Sequence, residues 1–99
     1  MENNREKEAI GLIQSAEKKI KGSFFSNIFS SKSSRLEEAQ EILAKAGNML
    51  KLTKSWDRAG SCFARCGEID LELSNDPSSN FIEASHCYSF IDQKSINFC

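Results

Sequence analysis

Small and apolar residues recur at an interval of twenty positions along this chain. The equivalent positions are Ala44, Ala64 and Ala84, then Ile42, Cys62 and Ile82, and then Gly47, Gly67 and Cys87. Small side chains at one place in successive helices let those helices pack closely. A helix and its loop every twenty residues form a two-helix unit of about 40 residues, which is within the range of helical repeats. The interval therefore predicts helical hairpins that stack to bury their apolar faces.

Apolar residues at three- and four-residue spacing place the first two helices. The first helix is predicted from about Arg5 to Lys21 and ends at Gly22, a residue suited to the left-handed position after a helix. The second helix is predicted to begin after Ser33 and Ser34, and Ser34 and Glu37 match the capping-box spacing. It should end between positions 51 and 54.

A third helix is predicted to open at Ser55, and the sequence SNDP at 74–77 is a strong helix break. A fourth helix is predicted over about Ser79 to Phe90, and residues 92–99 are predicted to start a fifth that is cut short. No β-rich segment competes with this all-α reading. The predicted buried faces are Ala9, Leu12, Ile13, Ala16 and Ile20; Leu36, Ala39, Ile42, Leu43, Ala46, Met49 and Leu50; Trp56, Ala59, Phe63, Cys66, Ile69 and Leu73; and Phe81, Ile82, Ala84, Cys87 and Tyr88.

The C-terminal end of the sequence carries apolar residues that a further helix would cover. They are Phe90, Ile91, Ile96 and Phe98. A solenoid needs a polar cap at its end, and uncapped repeats expose apolar surface. We therefore expect the solenoid to be truncated at this end, and the 99-residue chain to be marginally stable and to self-associate.

An aromatic segment, residues 22–35, interrupts the helical pattern. Its large apolar residues are Phe24, Phe25, Ile28 and Phe29, and the rest is mainly Ser, Gly and Asn. No Asp or Glu occurs from position 18 to 36, whereas five basic residues form what we call the basic collar: Lys18, Lys19, Lys21, Lys32 and Arg35. Aromatic side chains among basic residues match what an anionic membrane surface binds.

The aromatic segment has two other interpretations on pattern alone. Its phenylalanines could fold back as a cap on the hydrophobic core, or the segment could be disordered. It is too short and too interrupted to span a bilayer, which takes about 20 apolar residues. It could therefore only dip into a membrane surface.

The remaining chemistry excludes several classes of function. A net charge of −1 gives no general attraction to nucleic acid. No acid–base pair, phosphate-binding glycine loop or nucleophile motif is present, which predicts no enzyme, no cofactor and no small-molecule substrate. The polar N-terminus carries no signal peptide, so the chain reads as cytoplasmic.

Four cysteines are present, and in that compartment they should be reduced thiols. They are Cys62, Cys66, Cys87 and Cys99. Cys62 and Cys66 share a helix face, with His86 and Cys87 following later, but zinc ligands usually come from turns at tighter spacing. Buried structural cysteines are the preferred interpretation, a metal site the alternative, and His86 shows no carboxylate partner for cysteine-based catalysis.

Six stretches of the sequence resemble the N-terminal third of the soluble NSF attachment proteins of the alpha/beta type. They are AEKKIK at 16–21, SFFSNIF at 23–29, EEAQEI at 37–42, AGNMLK at 46–51, KSWDRAG at 54–60 and FIEASHCY at 81–88. The resemblance covers nearly the whole chain. Its specific part is the phenylalanine-containing loop between basic flanks, whereas the small-residue helical repeat is generic.

The resemblance implies a fold of antiparallel, tetratricopeptide-like helical hairpins stacked as a right-handed solenoid. It implies a non-catalytic adaptor of vesicular traffic that coats SNARE four-helix bundles and recruits the ATPase NSF, peripherally associated with membranes. Phe24, Phe25, Ile28 and Phe29 would contact the anionic membrane, aided by the basic collar. Lys54 would face the SNARE bundle. The family's NSF-activating element is C-terminal and is missing from this sequence.

A generic helical-repeat module is the alternative function. In that case the aromatic segment would be a docking site for a protein partner rather than for a membrane. Liposome binding separates the two functions, because only the first requires both the phenylalanines and anionic lipid.

Overall fold

Four helices make up the parts of the chain described by the computed structural model, residues 4–22 and 31–98, with the backbone alone for 92–98. The helices are α1 (Asn4–Lys21), α2 (Lys32–Leu52), α3 (Trp56–Glu72) and α4 (Ser78–Phe98), and no strand occurs in those ranges. Each helix packs on the next one in sequence. The predicted all-α architecture of stacked hairpins is therefore confirmed.

The first helix ends where the sequence predicts. Glu6 lies in its first turn and Lys18, Lys19 and Lys21 in its last, an arrangement that favours the helix dipole at both ends. Gly22 adopts a φ of 72°, and its N–H donates to the carbonyl of Lys18 at 2.9 Å. A left-handed glycine thus terminates α1.

The start of α2 differs from the prediction. Ser31 is the N-cap, with an extended backbone and a hydroxyl that accepts a hydrogen bond from the N–H of Ser34 at 3.1 Å. The expected cap at Ser34, paired with Glu37, is therefore wrong. Three consecutive serine or lysine positions can all adopt helical geometry, and the serine that precedes them takes the capping role.

The end of α4 also differs from the prediction. The expected break after Phe90 and the fifth helix from Asp92 are wrong, since α4 continues to Phe98. No glycine or proline follows Phe90, so nothing in the sequence stops the helix. At the start of α4, the Asp76 carboxylate accepts hydrogen bonds from the hydroxyl and from the backbone N–H of Ser78, and these bonds lower the pKa of Asp76.

The turns after α2 and α3 close with the same geometry, twenty positions apart. Lys54 has a φ of 60° and Ser74 a φ of 62°. After α2, the N–H of Ser55 donates to the carbonyl of Leu50 at 2.9 Å, and the N–H of Lys54 donates to that of Lys51 at 3.1 Å. The corresponding bonds after α3 are Asn75 to Asp70 at 2.7 Å and Ser74 to Leu71 at 3.2 Å. Both are Schellman motifs, with a non-glycine residue in the left-handed position.

Ion pairs also join alternate helices. They are Glu6 of α1 with Arg58 of α3, Glu17 of α1 with Arg65 of α3, and Lys51 of α2 with Glu83 of α4. Both partners of the first two pairs advance along their helices in the same direction, so α1 and α3 run parallel on one side of α2. Such partly exposed pairs add little stability individually.

The core is built from small and medium-sized side chains. Its buried members are Ala9, Ala16, Leu36, Ala39, Leu43, Ala46, Leu50, Ala59, Cys62, Phe63, Cys66, Ile69, Ala84 and Cys87. The predicted buried faces of α1, α2 and α3 are confirmed, with residues such as Leu12, Ile42 and Trp56 partly buried at the margin. The face of α4 differs: Ile82 is 68% exposed, and Phe81 and Tyr88 are exposed over more than a third of their surface.

Glycines of α2 and α3 pack closely against aromatic rings of the following helix. The pairs are Gly47 with Phe63, Gly60 with Tyr88, and Gly67 with Phe81. A Cβ atom on Gly67 would lie 2.3 Å from the ring of Phe81, which is closer than carbon atoms can approach. Gly47 and Gly67, which lie twenty positions apart, therefore leave room for aromatic rings between the helices.

Phe90 is not left open for a further helix. Its ring stacks on that of Trp56, with centroids 4.3 Å apart and an interplanar angle of 20°. The prediction of an uncovered position is therefore wrong for Phe90, whereas Ile91 is partly buried. The side chains of Ile96 and Phe98 lie outside the described part of the chain. Larger apolar exposure occurs at Leu52, Leu71 and Ile82.

Candidate functional site

The lysines of the basic collar lie where α1 ends and α2 begins. Lys18, Lys21 and Lys32 are exposed, and Lys19 is partly exposed. Lys19 pairs with Glu38 of α2 at 3.1 Å, and Lys32 pairs with Glu72 of α3 at 3.4 Å. Within the described residues, Lys18 and Lys21 have no ion pair, so their ammonium groups face solvent at the end of α1.

Arg35 occupies a different environment from the collar lysines. It is only 8% exposed, and its Nη1 donates to the backbone carbonyl of Lys19 at 3.0 Å. A guanidinium at a helix C-terminus binds carbonyls that have no partner within the helix. Arg35 therefore ties the end of α1 to α2 from the interior, and the expectation of an exposed membrane-facing arginine does not fit this position.

The four large apolar residues of the aromatic segment lie outside the described residues. Phe24, Phe25, Ile28 and Phe29 belong to positions 23–30, and their membrane contact stays a prediction. The structure places both attachment points of this stretch, Gly22 at the end of α1 and Ser31 at the N-cap of α2. No helix in residues 4–22 or 31–98 combines the length and apolarity that crossing a bilayer requires.

Lys54 lies at the opposite end of α2, in the turn to α3. Its side chain is exposed and its backbone is left-handed. Ser55 follows as the N-cap residue of α3, as predicted, but its hydroxyl makes no capping bond and instead lies 3.0 Å from the hydroxyl of Thr53. The turn is thus closed by backbone bonds and a hydroxyl pair, which present the Lys54 ammonium to solvent.

An aromatic cluster lies beside this turn, at the start of α3. Trp56 stacks on Phe90, and His86 is tilted against the same ring with centroids 5.2 Å apart. The sequence did not predict this cluster, because Phe90 was assigned to an uncovered edge. The stack fixes the first residue of α3 against α4 and hence the position of the Lys54 turn.

The three described cysteines are buried free thiols, as the preferred interpretation predicted. They are Cys62, Cys66 and Cys87. Burial, with a smaller contribution from Cys87, raises the pKa of the Cys62 thiol to about 11. Burial also raises the pKa of the Cys66 thiol to about 12. Thiols that stay protonated are poor nucleophiles and poor metal ligands. Among the side chains described, those of residues 4–22 and 31–91, no three His, Cys, Asp or Glu form a metal-binding group.

Comparison with known proteins identifies the family. The family model described as "Soluble NSF attachment protein, SNAP" matches residues 7–97. The chain belongs to the soluble NSF attachment protein family. Both the Lys54 turn and the attachment points of the aromatic segment lie within the part that this SNAP-family model matches.

Individual SNAP-family relatives agree with this match. The chain is 40% identical over 103 aligned residues to the alpha-soluble NSF attachment protein of Homo sapiens, covering 98% of this chain and 35% of the relative. It is 35% identical over 98 residues to the beta-soluble NSF attachment protein of Bos taurus, with 94% and 33% covered. A homolog from Fowlpox virus is 31% identical over 94 residues, with 90% and 33% covered.

The chain spans about a third of the length of these curated relatives. The extent of the resemblance, about a third of an alpha- or beta-type relative, is thereby confirmed, and this coverage is consistent with the predicted N-terminal third. No solved structure matches the chain significantly.

Proposed function

We propose that this chain acts in a non-catalytic adaptor of vesicular membrane traffic, which binds SNARE complexes and membranes and recruits the NSF ATPase. Family membership supports the attachment role, since the relatives are named for attachment to NSF. The observation that carries the membrane part is the arrangement at one end of the α1–α2 hairpin. There the exposed Lys18, Lys21 and Lys32 flank both attachment points of the aromatic segment.

The expected membrane affinity is small. A fully buried phenylalanine contributes about 1.5–3 kcal/mol, and each basic residue near an anionic surface contributes about 1 kcal/mol. Partial insertion and ordering of the segment reduce both contributions. Since Arg35 is buried and Lys19 and Lys32 already have acidic partners, Lys18 and Lys21 are the main electrostatic contributors. The result is a weak, reversible anchor that suits an adaptor released after each cycle.

The SNARE contact is assigned to the other end of the hairpin. Lys54 lies two residues after Leu52, the last residue of α2, and α2 contains 21 residues. At 1.5 Å per residue, the helix separates Lys54 from the collar by about 30 Å. The two proposed surfaces therefore do not overlap, and both can be occupied at once. We assign NSF recruitment to the longer protein that the relatives represent, and we expect the 99-residue chain alone to bind membranes without stimulating NSF.

Co-sedimentation with liposomes tests the membrane part. Phe24→Ser with Phe25→Ser should abolish most binding to anionic vesicles while far-UV circular dichroism stays unchanged. A matched control replaces two exposed apolar residues elsewhere, Leu71→Ser with Ile82→Ser, and should bind as the parent does. Neutral vesicles should bind the parent weakly, because the collar then has no anionic partner.

Three outcomes would contradict this proposal. Loss of helicity in the Phe24→Ser, Phe25→Ser variant would place the phenylalanines in the core. Equal loss of binding in the Leu71→Ser, Ile82→Ser control would indicate nonspecific hydrophobic adsorption. Phenylalanine-dependent capture of a protein partner without any liposome binding would favour the generic helical-repeat module.

A further inference from the structure

A cavity of about 480 Å³ lies between α1 and α3, above α2. Its lining residues are Ile10, Ile13 and Glu17 of α1, Leu43 of α2, and Asp57, Arg58, Ser61, Cys62 and Arg65 of α3. Small-molecule sites in proteins typically have volumes of about 300–1,000 Å³ and apolar walls with a few polar groups. The size and composition of this cavity fall within that description.

The two ion pairs between α1 and α3 bracket this cavity along its length. Glu6 pairs with Arg58 and Glu17 pairs with Arg65, while Ile10 and Ile13 lie between the two glutamates. The glutamates are eleven positions apart, which is about 16 Å of helix at 1.5 Å per residue. A partner helix, about 10 Å in diameter, could lie lengthwise between α1 and α3 only if both pairs broke. A single extended chain could lie there with both pairs intact.

The apolar walls are aliphatic. Ile10, Ile13 and Leu43 contribute branched alkyl groups, and none of the described lining residues is aromatic. The thiol of Cys62 is the remaining buried group on the α3 side, and its raised pKa keeps it uncharged. These walls suit a flexible alkyl chain better than a planar ring, which would gain no stacking partner.

The charge that remains available at the rim is negative. Arg58 is occupied by Glu6, and Arg65 is occupied by both Glu17 and Glu68. Asp57 is exposed, and the one hydrogen bond that its carboxylate accepts from a described residue is from the backbone N–H of Arg58, at 2.8 Å. Asp57 has no ion pair among the residues that the structure describes. A bound cation would therefore find an available carboxylate, whereas an anion would have to compete with three carboxylates for two guanidinium groups.

We propose that the cavity between α1 and α3 binds a single-chain aliphatic amine, with the alkyl chain against Ile10, Ile13 and Leu43 and the ammonium group on Asp57. This ligand class does not depend on the proposed adaptor function. The two ion pairs that bracket the cavity would remain intact in the complex, because the chain lies beneath them and the ammonium pairs with a third carboxylate.

Titration of the 99-residue chain with dodecylammonium below its micelle-forming concentration tests this proposal, with amide chemical shifts as the readout. Binding should move the amide signals of Ile13, Ser61 and Cys62, and decylammonium should bind about tenfold more weakly because two fewer methylene groups are buried. Dodecanoate should bind more weakly than the amine of equal length. Equal affinity for dodecylammonium and dodecanoate would overturn the assignment of the ammonium to Asp57.

Variants separate the two parts of the site. Asp57→Asn should weaken the amine about fivefold, as loss of an exposed ion pair predicts, and Glu41→Gln, an exposed acid of α2 outside the cavity, should not. Ile10 lines the cavity but does not pack on the buried core, so Ile10→Gln should reduce affinity with little change in thermal unfolding. Equal effects of Asp57→Asn and Glu41→Gln, or shifts induced by a leucine–lysine helical peptide but not by the amine, would overturn the proposal.

Discussion

The side-chain amide of Gln40 donates a hydrogen bond of 2.6 Å to the carboxylate of Asp70. Gln40 belongs to α2 and Asp70 to α3, and the second carboxylate oxygen accepts a bond of 2.7 Å from the amide of Asn80 in α4. Asp70 is only 7% exposed. One buried carboxylate therefore connects three successive helices.

Replacement of Asp70 by asparagine should lower the free energy of unfolding by about 1–3 kcal/mol. The new side chain would direct an N–H₂ group at one of two amide donors and leave that donor unsatisfied. Urea unfolding followed by circular dichroism measures the change. Glu72→Gln on the same helix removes only the exposed pair with Lys32 and should change stability by less than about 1 kcal/mol. Equal effects of the two substitutions would show that the buried carboxylate has no special role.

Alanine should have opposite effects at two helical glycines. At Gly11 a Cβ meets nothing within 4 Å, so Gly11→Ala should stabilise the chain by up to about 1 kcal/mol. At Gly67 a Cβ would collide with the ring of Phe81, so Gly67→Ala should destabilise by about 1–3 kcal/mol. The double variant Gly67→Ala, Phe81→Ala should recover part of that loss, because the colliding ring is gone. Thermal unfolding of the parent and the three variants measures these changes. If the double variant recovers none of the loss, the ring of Phe81 does not occupy the space beside Gly67.

Glycine should stabilise both left-handed turns. A non-glycine residue in this conformation costs about 1 kcal/mol. Lys54→Gly and Ser74→Gly should therefore each raise the free energy of unfolding by about 1 kcal/mol, and the unfolding temperature should rise equally in the two variants. Only Lys54→Gly removes a charge. In a chain extended to the length of its relatives, it should also weaken pull-down of an assembled SNARE bundle, as should Lys54→Glu. Unchanged binding of both Lys54 variants at low salt would remove this residue from the SNARE surface.

Stability should fall at alkaline pH through the buried thiols. The folded state raises the thiol pKa from 9.0 to about 11 at Cys62 and to about 12 at Cys66. The unfolded chain therefore releases these protons first, so this contribution is complete below pH 9.0 and is lost as the pH rises toward 12. Urea midpoints of the parent should decline more steeply above pH 9.0 than those of Cys66→Ala. Parallel declines would mean that other groups dominate the alkaline loss.

The sequence predicts helices well where the pattern and the stop signal agree. The first helix was predicted over Arg5–Lys21 and is observed over Asn4–Lys21, because its apolar stripe ends at a glycine. The fourth helix was predicted to end at Phe90, where the small-residue spacing ends. Spacing alone stops no helix, and the observed end is at Phe98.

Side-chain burial at the candidate site was harder to predict, since it depends on a neighbouring helix. Arg35 is basic and is the last residue of the aromatic segment, so its sequence context matches that of the lysines. Only the packing of α1 on α2 shows that its guanidinium caps Lys19. The cavity between α1 and α3 had no sequence signal, since its lining comes from three helices separated by up to 55 positions, from Ile10 to Arg65.

The length of α2 has a mechanical consequence for the proposed adaptor. The helix begins at Lys32 beside the segment assigned to the membrane and ends two residues before Lys54. The length of this helix would therefore set the distance between the bilayer and the SNARE contact at Lys54, up to about 30 Å. Removal of one turn from α2 would bring the SNARE contact about 5 Å closer to the bilayer. This distance would thus depend on the number of residues in one helix and not on the chemistry of either contact.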